Sequence, residues 1–108
     1  MIEASFTERG GRYSLFVNGH AGYAESGRDI VCAAVSGLVC ALAGYIHNEC
    51  DGARIYALGS GIASLECGED GLDAMRMAYI GLLQLALTYP GFVAVKGDAN
   101  MARRAKGF

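Results

Sequence analysis

Apolar and polar residues alternate along the first eight positions of the chain. Ile2, Ala4 and Phe6 fall on one side of this pattern and polar residues on the other, which predicts a strand with one buried face. The next residues, ERGGR, contain two adjacent glycines and predict a turn. The segment YSLFVNG then predicts the returning strand of a hairpin, ending at Asn18 and Gly19.

After this hairpin and a loop, the pattern changes to a long run without charge. The run from Ile30 to Ile46, IVCAAVSGLVCALAGYI, predicts a helix that extends to about His47. Its start is expected either at Ser26, which with Asp29 resembles a capping box, or at Asp29 itself. Because nearly every side of this helix is apolar, we expect it to be central in the fold. The small residues that recur on it and predict close approach of another backbone are Ala33, Gly37, Ala41 and Gly44.

The second half of the chain predicts another hairpin, another helix and a last strand. The segment ARIYALGSGIASLEC turns at residues 59–61, and the helix that follows begins near Asp70 or Asp73 and ends at Tyr89. The expected partners of the small residues on the first helix are Ala74, Ala78 and Gly81. The final segment FVAVKG predicts a short strand.

The resulting order, ββαββαβ, predicts an α+β fold in which two helices pack on a mainly antiparallel sheet. Apolar residues make up 53% of the chain and charged residues 19%, a composition that excludes a disordered protein. The chain has 108 residues with no linker or low-complexity segment, so we predict one domain over residues 1–108.

The charge of the chain excludes a broad nucleic-acid footprint. Its net charge is −2, so we expect no direct nucleic-acid binding. The C-terminal segment is nevertheless locally basic, and we expect it to be a solvated, mobile tail. Its basic residues are Lys96, Arg103, Arg104 and Lys106.

The segment Ile30–Ile46 also raises the question of a membrane span. At seventeen residues it is shorter than the roughly 20 needed to cross a bilayer, so we expect a buried helix and no membrane association. The start of the chain lacks a secretory signal pattern, which favours a cytoplasmic protein with reduced thiols. Cys40 and Cys67 lie in apolar runs, and we expect both to pack in the core.

The residues that could carry chemistry are a histidine and a cysteine twelve positions apart, His20 and Cys32. Cysteine attacks as its thiolate, which an imidazolium or a helix N-terminus stabilises, and both are available here. Asp29 could orient the imidazole or cap the helix. Ser36, one turn after Cys32, could hydrogen-bond in the site or bond back to the Cys32 carbonyl.

Spacing alone leaves two other interpretations open. Cys32 could be a small core residue and His20 a turn residue. A zinc site formed by His20, Cys32, His47 and Cys50 is a third reading, although its spacings match no compact zinc motif. We predict no metal and no cofactor.

The segment GHAGYAESGRDIVCAAVS, from Gly19 to Ser36, resembles the signature of the bacterial ribosomal-processing cysteine proteases, the Prp family. The resemblance places the family's catalytic cysteine on Cys32 and its catalytic histidine on His20. Supporting positions fall on Asp29 and Ser36. The rest of the chain resembles the family more loosely.

This resemblance implies a function. Such enzymes remove the N-terminal extension of a large-subunit ribosomal protein, number twenty-seven, which would be the partner of this chain as substrate. They form homodimers with a mobile loop over the site, a role that the resemblance gives to residues 21–28 with Gly22, Tyr23 and Gly27. Tyr23 would pack on an apolar side chain of the substrate. The alternative is a non-catalytic binding module that associates with ribosomes through the basic tail.

Overall fold

The described residues form five strands and three helices. The computed structural model describes residues 1–103 and 105–108. The strands are β1 (Ile2–Arg9), β2 (Arg12–Asn18), β3 (Arg54–Gly59), β4 (Ile62–Cys67) and β5 (Val93–Gly97). The helices are α1 (Ile30–Glu49), α2 (Leu72–Thr88) and the short α3 (Ala99–Ala102). The predicted α+β class and the order ββαββαβ are confirmed, and α3 is an addition to the prediction.

The strands form one sheet in the order β3-β4-β2-β1-β5. Three of the four pairings are antiparallel, and β1 pairs with β5 in parallel. The parallel pair is possible because α2 carries the chain from β4 across the sheet to β5. The sheet is therefore mainly antiparallel, as predicted.

The core lies between one face of the sheet and the two long helices. The alternating pattern of β1 puts Ile2, Ala4 and Phe6 on this buried face, and Leu15 and Val17 of β2 lie beside them. The helices contribute apolar residues at helical spacing. Those of α1 are Val31, Val35, Val39, Leu42, Ala43 and Ile46, and those of α2 are Met75, Ala78, Tyr79 and Leu82.

The prediction that α1 is central is wrong. Only one face of α1 is buried, while Ile30 is 58% and Tyr45 48% exposed. A two-layer fold gives each helix a single sheet as its partner, so the opposite face of α1 remains in solvent. By length and composition alone α1 could cross a membrane, and one face of it packs in the core.

The small residues of α1 lie on this exposed face, not at a helix contact. Ala33, Gly37, Ala41 and Gly44 are all exposed, and within the part of the chain that the structure describes no atom comes within 4 Å of a β-carbon placed on either glycine. Cys40 is exposed as well, so its predicted place in the core is wrong. Alanine, glycine and cysteine have little apolar surface, and their exposure costs little.

The contact between α1 and α2 uses a large side chain against a small one. A β-carbon on Gly81 would lie 3.1 Å from Cδ1 of Leu38, so the glycine makes room for the leucine. The prediction that a small residue of α2 contacts α1 is right at Gly81, but its partner on α1 is Leu38.

Two helix starts differ in how they are capped. Asp29 is the N-cap of α1, so a start at Ser26 is wrong. Helix α2 begins at Leu72 after a 3-10 turn, Glu69–Gly71, with Gly71 as its N-cap. Asp70 instead accepts a hydrogen bond from the Asp51 N–H at 2.9 Å.

The start of the basic tail is folded onto the core. Asp98 caps α3 by accepting from the Met101 N–H at 3.2 Å, Met101 is fully buried, and the guanidinium of Arg76 donates to its carbonyl. The predicted mobile tail is thus wrong for α3. Exposed basic residues of this segment are Lys96, Arg103 and Lys106; Arg104 lies outside the described residues.

Candidate active site

The cap of α1 fixes the position of Cys32. Asp29 has extended backbone geometry, and its Oδ1 accepts from the N–H groups of Val31 at 3.0 Å and Cys32 at 2.9 Å. Cys32 is therefore the third residue of the helix, in its first turn, and its side chain is half-buried. The N-terminal end of a helix favours negative charge there, which suits a thiolate.

The second oxygen of Asp29 binds the preceding loop. Its Oδ2 accepts from the N–H groups of Tyr23 at 2.9 Å and Ala24 at 3.3 Å. The backbone N–H of Cys32 contributes most to a lowered pKa of the Asp29 carboxyl, and the other three donors add to it. One carboxylate thus joins the loop to the helix start. The described hydrogen bonds of Asp29 go to these N–H groups and not to His20.

His20 follows β2 and lies across the turn between β3 and β4. A β-carbon placed on Gly61 would lie only 2.7 Å from Nε2 of His20, so the imidazole packs directly against the glycine backbone. The Gly19 N–H also donates to the Gly61 carbonyl at 2.9 Å. The turn between β3 and β4 therefore contacts both the imidazole of His20 and the backbone of the residue before it.

Gly61 was not predicted as a site residue. In the sequence it is visible only as part of a hairpin turn, forty-one positions after His20. A glycine is expected in a hairpin turn for its positive φ, here +77°. The sequence does not show that this glycine must also leave space for an imidazole.

A backbone N–H reaches the sulfur of Cys32. The N–H of Ala21, the residue after His20, donates to Sγ at 3.3 Å. Ala21 is buried, so this donor is shielded from competing water. A donor aimed at sulfur stabilises its negative form, and the contact brings the chain at residues 20–21 directly against the thiol.

Two cavities meet at this position. One has a volume of about 440 Å³ and is mostly apolar, and the other, beside the loop, has about 710 Å³. His20, Cys32 and Ser36 line both of them. The apolar walls of the first cavity include Val17, Val35, Val39, Leu58, Ile62 and Ala63. The predicted residues His20, Cys32 and Ser36 are thus brought together where a bound chain could reach the thiol.

The glycine-containing loop borders the second cavity. Gly22 and Gly27 have φ values of +69° and +85° and both line it. The ring of Tyr23, by contrast, packs edge-on against Tyr89 and Phe92 and is not among the residues that line either cavity.

The geometry excludes the four-residue zinc site. Cys32 is near the start of α1 and Cys50 is its C-cap, which separates them by eighteen residues, or about 27 Å of helix. Within residues 1–103 and 105–108, no group of three His, Cys, Asp or Glu side chains could hold a metal. Burial raises the pKa of Cys67 to about 11 and also raises that of Cys50, so these two are not activated thiols.

Comparisons with known proteins agree with the fold. The sequence profile of the family described as cysteine protease Prp matches residues 1–94, while no curated protein matches the chain. The ribosomal processing protease Prp from S. aureus, with a covalently linked product peptide, is 20% identical with a TM-score of 0.76, over 91% of this chain and 100% of that chain. Its complex with a substrate peptide gives 19% and 0.70 over the same shares. SMU.848 from Streptococcus mutans is 29% identical with a TM-score of 0.63, over 90% of this chain and 93% of that chain.

The family match spans 94 of the 108 residues. It contains the loop, the start of α1 and the hairpin turn that together surround Cys32. The chain belongs to the family of cysteine proteases named Prp.

Proposed function

We propose that this protein is an endopeptidase that removes the N-terminal extension of ribosomal protein number twenty-seven of the large subunit, with Cys32 as the nucleophile and His20 as the general base. The observation that carries this proposal is the Cys32 thiol in the first turn of α1, with the Ala21 N–H on its sulfur and His20 bordering the same two cavities. The processing role of the S. aureus protein supports the substrate.

Because the chain belongs to a family of cysteine proteases, the alternative interpretation as a non-catalytic binding module is excluded. In the proposed reaction His20 takes the proton of the Cys32 thiol, and Sγ attacks the scissile carbonyl carbon. The C–N bond then breaks, and His20 gives its proton to the leaving amine. Water hydrolyses the thioester, with His20 accepting the water proton.

The apolar cavity supports a hydrophobic substrate segment. The resemblance implies cleavage after a sequence with hydrophobic and aromatic residues, and a cavity of about 440 Å³ with walls from Val35, Val39 and Leu58 has room for such a side chain. Ser36 lies between the two cavities, where its hydroxyl could bind the substrate backbone.

The test is incubation with peptides that span the extension junction of the host's ribosomal protein, read by mass spectrometry. We expect a single cut in the wild-type reaction. Cys32→Ala and Cys32→Ser should abolish it while leaving the circular dichroism spectrum unchanged, because little volume is lost. Cys50→Ser is the matched control, since it removes a half-buried thiol that lines neither cavity.

Two results would contradict the proposal in different ways. Cleavage by Cys32→Ala would disprove the mechanism. If no junction peptide is cut while iodoacetamide labels Cys32 selectively near neutral pH, the chain has a reactive thiol but another substrate.

We also infer that the protein is cytoplasmic and that it forms a homodimer, and the family resemblance implies the homodimer. Large apolar side chains exposed on the surface, such as Ile55 and Tyr56 of the edge strand β3, support self-association. Sedimentation equilibrium should give twice the chain mass at micromolar concentration, and a monomer mass would refute the dimer.

A further inference from the structure

Three aromatic rings from two parts of the chain, the loop after β2 and the connection between α2 and β5, meet beside the loop. Tyr23 lies 5.6 Å from Tyr89 and 5.2 Å from Phe92 between ring centroids, with both interplanar angles at 77°. This is the edge-to-face geometry that aromatic pairs favour. We call these three residues the aromatic clasp.

Two of the three rings are fixed to the body of the protein. Tyr89 is the C-cap of α2, and Phe92 comes directly before β5. The Phe92 N–H donates to the Tyr89 carbonyl at 3.1 Å, and the Phe92 carbonyl accepts from the Ile2 N–H at 2.9 Å. Both side chains are partly buried against the core, so they form a fixed base for the loop residue Tyr23.

Tyr23 lies two residues after Ala21, whose backbone contacts the thiol. Its N–H binds Asp29, and only Gly22 separates it from Ala21, whose N–H contacts Cys32 Sγ. Gly22 has a φ of +69°, which turns the chain between these two anchored residues. If the ring left the clasp, the chain at Ala21 would lose one of the contacts that hold it against the sulfur.

We propose that Tyr23 is a positioning residue: its ring, held by Tyr89 and Phe92, keeps the N–H of Ala21 on the sulfur of Cys32. This inference rests on the proposed role of Cys32 as nucleophile. It differs from a substrate contact, which Tyr23 would make only by leaving the clasp. A positioning residue acts on turnover, whereas a substrate contact acts on the Michaelis constant.

The experiment compares Tyr23→Ala with Tyr23→Phe in the full-length protein. Tyr45→Ala is the matched control, because Tyr45 is 48% exposed against 44% for Tyr23 and lies outside the clasp. Tyr23→Ala should lower kcat about tenfold with a smaller change in KM, since small displacements at a reacting centre are costly. Tyr23→Phe keeps the ring and should stay within about twofold of wild type, as should the control.

Amide hydrogen exchange tests the proposal without a measurement of peptide cleavage. In Tyr23→Ala the Ala21 amide should exchange about tenfold faster than in wild type, while amides at the centre of β1 and β2 keep their rates. A merely structural role would raise exchange across the whole chain.

The outcomes are distinct. An unchanged kcat together with unchanged Ala21 exchange overturns the proposal, as does a rise in KM alone or a rise in exchange throughout the protein. If the wild-type protein cuts no peptide, the proposed function fails, but selective exchange at Ala21 still decides whether the clasp positions that residue.

Discussion

Gly61 is a position where glycine is required because it has no side chain. It lies in a hairpin turn with φ at +77° and against the imidazole of His20. A side chain there has two separate effects, because it strains the backbone and it displaces the ring. These effects can be separated, since Gly10 lies in the turn between β1 and β2 with a φ of +58° and no atom of the described residues within 4 Å of its β-carbon position.

We therefore expect Gly61→Ala and Gly10→Ala to differ in activity more than in stability. Each substitution should lower the free energy of unfolding by about 1 kcal/mol, because alanine is disfavoured at positive φ. Only Gly61→Ala moves His20, and its kcat should fall about tenfold or more. Urea denaturation and peptide cleavage measure the two quantities; equal kcat values in both variants would show that His20 does not need this space.

The two histidines offer a similar matched pair. His20 and His47 are both exposed, but His47 lies near the far end of α1. His20→Ala should lower kcat by roughly 10²- to 10⁴-fold, the usual effect of a general acid–base, whereas His47→Ala should retain activity. A His20→Ala enzyme with wild-type turnover would assign the proton transfer to another group.

Candidate site residues could be named from the sequence where they are close together along the chain. His20, Asp29 and Cys32 fall within thirteen positions, and the motif that contains them is specific. Gly61, Tyr89 and Phe92 could not be predicted, because the fold brings them to the loop from forty to seventy positions away along the chain. No periodicity or local propensity records such a contact.

At the scale of elements, the start of α1 depends on one side chain that binds in two directions. Asp29→Ala removes the helix cap and should lower the free energy of unfolding by about 1 kcal/mol. Asp29→Ser should keep most of that stability, because a hydroxyl also accepts from first-turn N–H groups. One hydroxyl cannot replace both carboxylate oxygens, so we expect reduced kcat in both variants. Urea denaturation and kinetics give the comparison; full activity in Asp29→Ser would mean that the bonds to the loop are dispensable.

The lowered pKa of Asp29 predicts how the free energy of unfolding depends on pH. Its hydrogen bonds lower the pKa of Asp29 in the folded state below the value of about 3.9 in an unfolded chain. The unfolded state therefore binds the proton more readily, so the contribution of Asp29 is fully present above about pH 4 and is lost as pH falls through the folded pKa.

This pH dependence can be measured by urea denaturation of wild type and Asp29→Asn from about pH 6 to about pH 2. The stability difference between the two proteins should be constant in the upper range and shrink in the lower. A difference that stays constant throughout would show that Asp29 has the same proton affinity in both states.

Elements were predictable in kind and order but not in their surroundings. The alternation of β1 and the uncharged run of α1 predicted a strand and a helix correctly. The run could not show that Ala33, Gly37, Ala41 and Gly44 face solvent, because small residues are compatible with either a contact or an exposed surface. The burial of Met101 in α3 could not be predicted, because the segment that contains it is locally basic and was expected to be solvated.

At the scale of the whole molecule, we expect no dependence on metal. Of the four residues considered for zinc, Cys32 lies near the start of α1, whereas His47 and Cys50 lie at its other end, so no single ion can bind them all. Treatment with EDTA should leave both the melting temperature and peptide cleavage unchanged. Loss of either one, restored by zinc but not by magnesium, would contradict this expectation.

The sheet order has a consequence for the time at which a newly made molecule becomes competent. Synthesis runs from the N-terminus, so Cys32 and His20 leave the ribosome early, before the turn at Gly61 that packs against the imidazole. Strand β1 gains its second neighbouring strand later still, because that strand, β5, consists of residues 93–97. A chain made only as far as residue 60 thus has the thiol without the cleft around it, and proteolytic competence should appear only after residues 93–97 have been made.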